Sequence, residues 1–220
     1  DDSSVVAASG RVQRGIYAYG YPGPLNLSNL VSNTGVVASD VTGVGTARYG
    51  PGATTYGIDK AIFAYGNTGD SGYVSMSNLV SSSGVVATDV TGVGTDRVFL
   101  SAAGYGSTGQ AIFAYGETGS KLSMSNLVTN AGVIGSDVSG VGTARSYTGA
   151  TGYGGDKAIF AYGTGGSNTA VSNLVSNSGV IGTDVSGVGT ARAFLAAVGY
   201  GGDKAIFAYG HDGSVSSLSN

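Results

Sequence analysis

The chain has 220 residues, a formal net charge of −3 and no run of lysine or arginine, so it lacks the basic surface that neutralises phosphates, and nucleic-acid binding is excluded. It has no cysteine, which removes disulfides, thiolate metal sites and cysteine nucleophiles together, and no apolar stretch reaches the ~18 residues of a membrane span. Charged residues make up only 10% while Ser, Thr and Asn abound, a surface chemistry that leans toward an extracellular or virion-surface setting; the start at Asp1 rather than Met suggests processing or excision from something longer.

From its N-terminus the chain copies one unit. Val-Gly-Thr motifs start at Val44, Val93, Val141 and Val188, spaced by 49, 48 and 47 residues, and Ala-Tyr-Gly ends at Gly20, Gly66, Gly116, Gly163 and Gly210. A period of that length points to a propeller or a solenoid. Ser3–Ser9 is the first predicted strand, in the place that Arg192–Tyr200 takes in the last copy. A second run follows, best seen as Lys204–Gly210, then a third, Ser172–Ser176, and a fourth, Val180–Val185, with Gly, Asn, Asp and Ser between them. No glycine-free amphipathic stretch long enough for a helix occurs, so the fold class is all-β. In the second run alternation puts Ile62 and Ala64 on one face and Ala61, Phe63 and Tyr65 on the other. Both faces are apolar, which demands sheets stacked face to face. Four-stranded antiparallel blades stacked radially meet that demand, giving a five-bladed β-propeller in a single domain. The blades cover about 1–46, 47–95, 96–143, 144–190 and 191–220, with first strands innermost and the last blade incomplete.

The Thr-Ala-Arg before the first strand and Lys-Ala-Ile-Phe-Ala-Tyr-Gly in the second resemble the kelch repeat, with one glycine where kelch has two and no tryptophan for its fourth strand. The wording Gly-Val-Val-Ala-Thr-Asp-Val-Thr-Gly-Val-Gly-Thr is similar to kelch-like arrays in virion and tail-fibre proteins of marine bacteriophages. That resemblance implies a non-catalytic structural or adhesion module that contacts glycans or partner proteins. A multivalent lectin with one site per blade and a ligand-free repeat scaffold are the alternatives.

Residues locked to the period read as structure. Asp40, Asp89, Asp137 and Asp184 precede Arg48, Arg97, Arg145 and Arg192 by eight residues each, and are expected to pair with them across the turn between blades. Tyr19, Tyr65, Tyr115, Tyr162 and Tyr209 are expected in the core, or else as one sugar-stacking ring per blade. Gly-Val-Gly-Thr and Gly-Tyr-Gly-Gly-Asp-Lys lack phosphate-loop spacing, and no DxDxDG-like calcium loop occurs. His211 is the only histidine and Glu117 the only glutamate, so no metal, cofactor or enzymatic site is expected. The copies differ most after Ala-Tyr-Gly, and binding is expected there: Tyr21, Asn67, Asp70, Tyr73, Glu117, Lys121, Asn168, His211 and Asp212. Ser214–Asn220 is expected as an outer strand whose free edge offers self-assembly through the unfinished fifth blade.

Overall fold

Short β-branched and aromatic runs between glycine turns fold into small antiparallel sheets, one per copy of the unit. The computed structural model describes residues 4–7, 15–69 and 72–220. The first sheet contains β1 (Ser4–Ala7), β2 (Gly15–Gly20) and β3 (Leu25–Val31); the second β4 (Gly52–Tyr56), β5 (Lys60–Ala64) and β6 (Ser77–Val80). The third contains β7 (Ser101–Tyr105), β8 (Gln110–Ala114) and β9 (Ser125–Val128), and the fourth β10 (Gly149–Tyr153), β11 (Lys157–Ala161) and β12 (Ser172–Val175). The fifth has β13 (Ala196–Tyr200) and β14 (Lys204–Ala208). Among the described residues there is no helix, and none of the sheets closes on itself.

The strand order within each unit is the expected meander, but the fourth run is not a continuous strand. It meets the third only at isolated bridges, Val80↔Val86 and Ser77↔Val90 in the second unit. Three steps on one side face four on the other, so one residue is extra and the ladder bulges. A side chain fills the gap: Asn78 Nδ2 donates to the Ala87 carbonyl at 3.0 Å and to Asp89 Oδ1 at 2.9 Å. In the last unit only the end of Ser214–Asn220 behaves as a third strand, with Asn220 and Phe207 exchanging backbone hydrogen bonds at 2.8 Å. Val215 instead bridges back to His211 within the loop.

The sheets stack in chain order through their first strands, β1 on β4, β4 on β7, β7 on β10 and β10 on β13. Backbone hydrogen bonds tie these strands at both ends. Phe99 N donates to Gly50 O and Tyr147 N to Phe99 O, both at 3.0 Å, while at the other end Gly106 N donates to Asp156 O and Gly154 N to Asp203 O, both at 2.7 Å. Close approach suits strands made of Gly, Ala, Ser and Thr, whereas Ile, Phe and Tyr fill the space between the middle strands.

One tyrosine per unit departs from simple alternation. Tyr65 has φ of 65°, as Tyr115 does, and this left-handed step swings its ring onto the face of Ile62 and Ala64, not that of Phe63. The unit thus presents Ile, Ala and Tyr toward the following copy and Phe toward the preceding one. Tyr19 meets Phe63 edge-on at 5.3 Å, Tyr65 meets Phe113 at 5.6 Å and Tyr115 meets Phe160 at 5.5 Å. Offset and edge-on geometries such as these contribute about 0.5–1.5 kcal/mol beyond area burial.

Candidate functional site

The recurrence of the Arg and Asp slots in each unit comes from a network centred on buried arginines. Arg48, Arg97, Arg145 and Arg192 are fully buried. Arg145 lies 4.1 Å from the centroid of the Tyr115 ring in the preceding unit, and donates from Nη1 to Thr143 O at 3.0 Å and from Nη2 to Asn173 Oδ1 at 2.6 Å. Its carboxylate is Asp184, at 3.9 Å, and not Asp137 eight residues before it. Likewise Arg48 faces Asp89 and Arg97 faces Asp137. The expected short-range pairing is thus replaced by one that spans the unit. The bulge explains it: the extra residue turns Asp184 back toward the start of its own first strand, where it accepts from Thr143 N and Thr143 Oγ1. Among the described residues no reciprocal ion pair is formed by Asp40 or Arg192; Asp40 accepts from Asn29 at 2.7 Å, and Arg192 donates to Asn220 at 3.0 Å.

Burial opposes ionisation of Asp89, Asp137 and Asp184, but hydrogen bonds from Thr and Asn and the neighbouring Arg charge outweigh it, holding all three below the usual carboxylate range. Burial pushes the Tyr65 and Tyr115 phenols up to about 12 in spite of their Arg neighbours. The middle glycine of Val-Gly-Thr belongs to the same network. Gly142 has φ of +75°, and a Cβ there would run into Asp184 Oδ1. These slots build the scaffold, and the arginine covers the ring face of Tyr19, Tyr65, Tyr115 and Tyr162.

The start of each first strand carries a feature the sequence reading missed. Tyr49, Phe99, Tyr147 and Phe194 form a row across four units, with centroid spacings of 6.1, 4.4 and 4.0 Å, and Tyr21 meets Tyr49 edge-on at 6.1 Å. Phe99, Tyr147 and Phe194 sit at φ of 54°, 54° and 57°. A side chain other than glycine in that region carries a cost of roughly 1–3 kcal/mol, and such strain gathers at functional positions. In the second unit Gly50 holds the strained slot and the ring comes from the residue before it. The row lines a concave groove of about 980 Å³ that runs across the units and is completed by small first-strand residues, Gly52, Ser101 and Ala150 among them. Among the described residues, no Asp, Glu, Lys or Arg lines it. An aromatic two residues after Arg97, Arg145 and Arg192 was the available signal.

Of the described variable-loop candidates, Tyr21 and His211 line this groove and the others do not. Asn67, Glu117 and His211 each bridge to the start of the first strand in their own unit, opposite Tyr49, Val98 and Ala193, and then close a tight loop with Tyr73, Lys121 and Val215. Asn67 is buried and accepts from Gly69 N at 2.7 Å. Glu117 pairs with Lys121 and accepts from Ser146 Oγ at 2.7 Å, which engages both charges internally. Asn168 donates to the His211 carbonyl at 2.8 Å, and Asp212 accepts from Ser214 N at 3.2 Å. Asp70 lies outside the described residues. These loops therefore brace the rim, and the rings form the floor.

No protein-family model matches the chain, and a search of curated proteins finds no match.

Proposed function

We propose that the protein is a non-catalytic structural and binding module, whose contact surface is the concave aromatic groove. The observation that carries this reading is the row of Tyr49, Phe99, Tyr147 and Phe194, three of whose rings are held at left-handed backbone positions. A groove floored by rings, with no charged side chain among its described lining residues, suits the C–H faces of neutral sugars, with rim amides and hydroxyls for their hydroxyl groups. Glycans are the ligand class, and partner proteins displaying an apolar edge are the second. The finer architecture in this reading is an open, propeller-like arc of five kelch-like blades with the last blade unfinished, set on a virion fibre or another extracellular surface. Close first strands of small residues and middle strands spaced by larger ones support that radial arrangement.

The lectin reading with one site per blade is favoured by a single observation, the presence of one ring per unit in four units. Stoichiometry separates the two. A continuous groove binds one oligosaccharide per chain, while separate pockets bind several monosaccharides. An array of neutral oligosaccharides followed by calorimetric titration tests both, and absence of binding across the array, or binding indifferent to loss of the Phe194 ring, would remove the glycan assignment.

A further inference from the structure

The loop that follows the last Ala-Tyr-Gly sets a base, a carboxyl group and an unhindered nitrogen in three consecutive residues. Asp212-Gly213 is the only step in the sequence at which Asp or Asn precedes Gly. Glycine has no Cβ to shield its nitrogen from the carboxyl group one residue before it. Gly213 stands at φ of 121°, with nothing within 4 Å of the place a Cβ would take. Its N–H donates to His211 Nδ1 at 3.3 Å, which makes that nitrogen the bare, basic one of the imidazole. Asp212 Oδ1 accepts from Ser214 N and from Ser214 Oγ, both at 3.2 Å. We propose that this loop is a self-modification site: the Gly213 nitrogen closes a succinimide ring on Asp212, with His211 as the base, and the ring reopens to isoaspartate.

The groups stand where the step needs them. The proton that Gly213 N must lose points at His211 Nδ1, and transfer to a positioned base speeds a reaction by about 10²–10⁴-fold. Attack by the nitrogen forms the N–Cγ bond, and the two Ser214 donors face the Asp212 oxygen on which negative charge gathers. The other carboxyl oxygen departs as water, carrying the proton that passed through His211 and one from solvent. Water then opens the ring. At the side-chain carbonyl it restores aspartate, and at the main-chain carbonyl it leaves isoaspartate, with a methylene added to the main chain. His211 is held in place, since its backbone exchanges hydrogen bonds with Ala193 and its carbonyl accepts from Asn168 Nδ2 at 2.8 Å. The third and fourth units carry Thr118-Gly119 and Gly165-Gly166 at these positions, without a carboxyl group. Gly119 and Gly166 are exposed although units lie on both sides of them, so this loop tip stands outside the contacts between units. His211 lines the groove, and isoaspartate beside it displaces that stretch of wall whatever the groove binds. The inference does not rest on the ligand assigned to the groove.

Ageing the full chain at neutral pH and physiological temperature, followed by peptide mapping with electron-transfer fragmentation, reads the product directly, because that fragmentation separates isoaspartate from aspartate. The same chain kept unfolded in urea gives the rate of the Asp-Gly step without the fold. The folded parent is expected to gain a species short of one water at Asp212-Gly213, then isoaspartate there, at least ~10 times faster than the unfolded chain. His211→Ala is expected to fall to the unfolded rate, and free imidazole is expected to restore that loss, with a larger effect than in the parent. His211 is solvent-exposed, and thermal melts verify that the variant keeps its fold. His211→Gln, which has an acceptor but no basic nitrogen, repeats the test should the alanine variant fold poorly. A folded parent that ages no faster than the unfolded chain overturns the proposal. So does a His211 variant that ages at the parent's rate, or one that imidazole does not restore, since ring closure would then need no base at that position.

Discussion

Removing the Arg145 guanidinium is expected to cost more than any surface substitution in this protein. The group donates to two buried acceptors, Tyr162 O at 2.9 Å and Asn173 Oδ1 at 2.6 Å, and to the part-buried Thr143 O at 3.0 Å. It also covers the Tyr115 ring and faces Asp184 at 3.9 Å. Arg145→Ala leaves those acceptors without their donor at about 1–3 kcal/mol each, less what entering water restores. Asp184 keeps 31% of its side chain in solvent, so the broken pair itself adds little, and the buried acceptors together with the lost Tyr115 ring contact put the cost at about 3–5 kcal/mol. For a chain of this size each kcal/mol moves the melting temperature by about 2–4 °C, so a fall of roughly 6–20 °C follows. Thermal denaturation followed by circular dichroism measures it. Arg145→Lys keeps the charge but not the planar fork, and is expected to fall between parent and Ala variant. A melting temperature for Arg145→Ala within about 1 °C of the parent would refute the structural role of the network.

Gly142→Ala is expected to lose at least about 1–2 kcal/mol in chemical denaturation, since the position is left-handed and its Cβ would strike Asp184; an unchanged midpoint would mean that the turn rearranges freely. Asp89, Asp137 and Asp184 titrate below their unfolded value, so their stabilisation is complete above about pH 4 and is lost as pH falls through the folded values. Melting measured from pH 6 downward should drop over that acid window, and Asp137→Asn should flatten the drop. The phenols of Tyr65 and Tyr115, raised to about 12, act with the opposite sign: their contribution is present below about pH 10 and is lost as pH rises toward the folded values. Phenolate absorbance should accordingly show two tyrosines that ionise only with unfolding.

Much of this architecture was legible in the chain because the unit is copied. Strand order, turn positions and the burial of Phe63 and its equivalents followed from glycine punctuation and apolar runs. The partner of each arginine was not legible. Sequence proximity points from Arg145 to Asp137, whereas a bulge between Ile181 and Val185, most of a unit downstream, delivers Asp184, and a bulge leaves no mark in an alternation pattern. The same blindness hid the switch of Tyr65 to the face of Ile62, since only its φ of 65° produces it. The aromatic row was hidden differently. Gly50 breaks it in the second unit, and Tyr49 restores the ring from one position earlier, so the slot does not align by residue type. Variable loops attracted attention as binding surfaces, yet Glu117, Lys121 and Asn67 bind one another's neighbourhood and not the groove.

The groove assignment is tested most directly at Phe194, whose ring packs tilted against Tyr147 with centroids 4.0 Å apart while its backbone stands at φ of 57°. Phe194→Gly removes the ring and relieves a left-handed residue at the same time, which offsets the lost contact by about 1 kcal/mol. Calorimetric titration of neutral oligosaccharides, run beside thermal melts of the same samples, reads binding and stability separately. The expected result is a melting temperature at or near the parent's together with at least a tenfold loss of affinity, about 1.4 kcal/mol. Undiminished affinity in Phe194→Gly, or a collapse in melting with affinity retained by the folded fraction, would contradict a binding role for the aromatic row and return it to the scaffold.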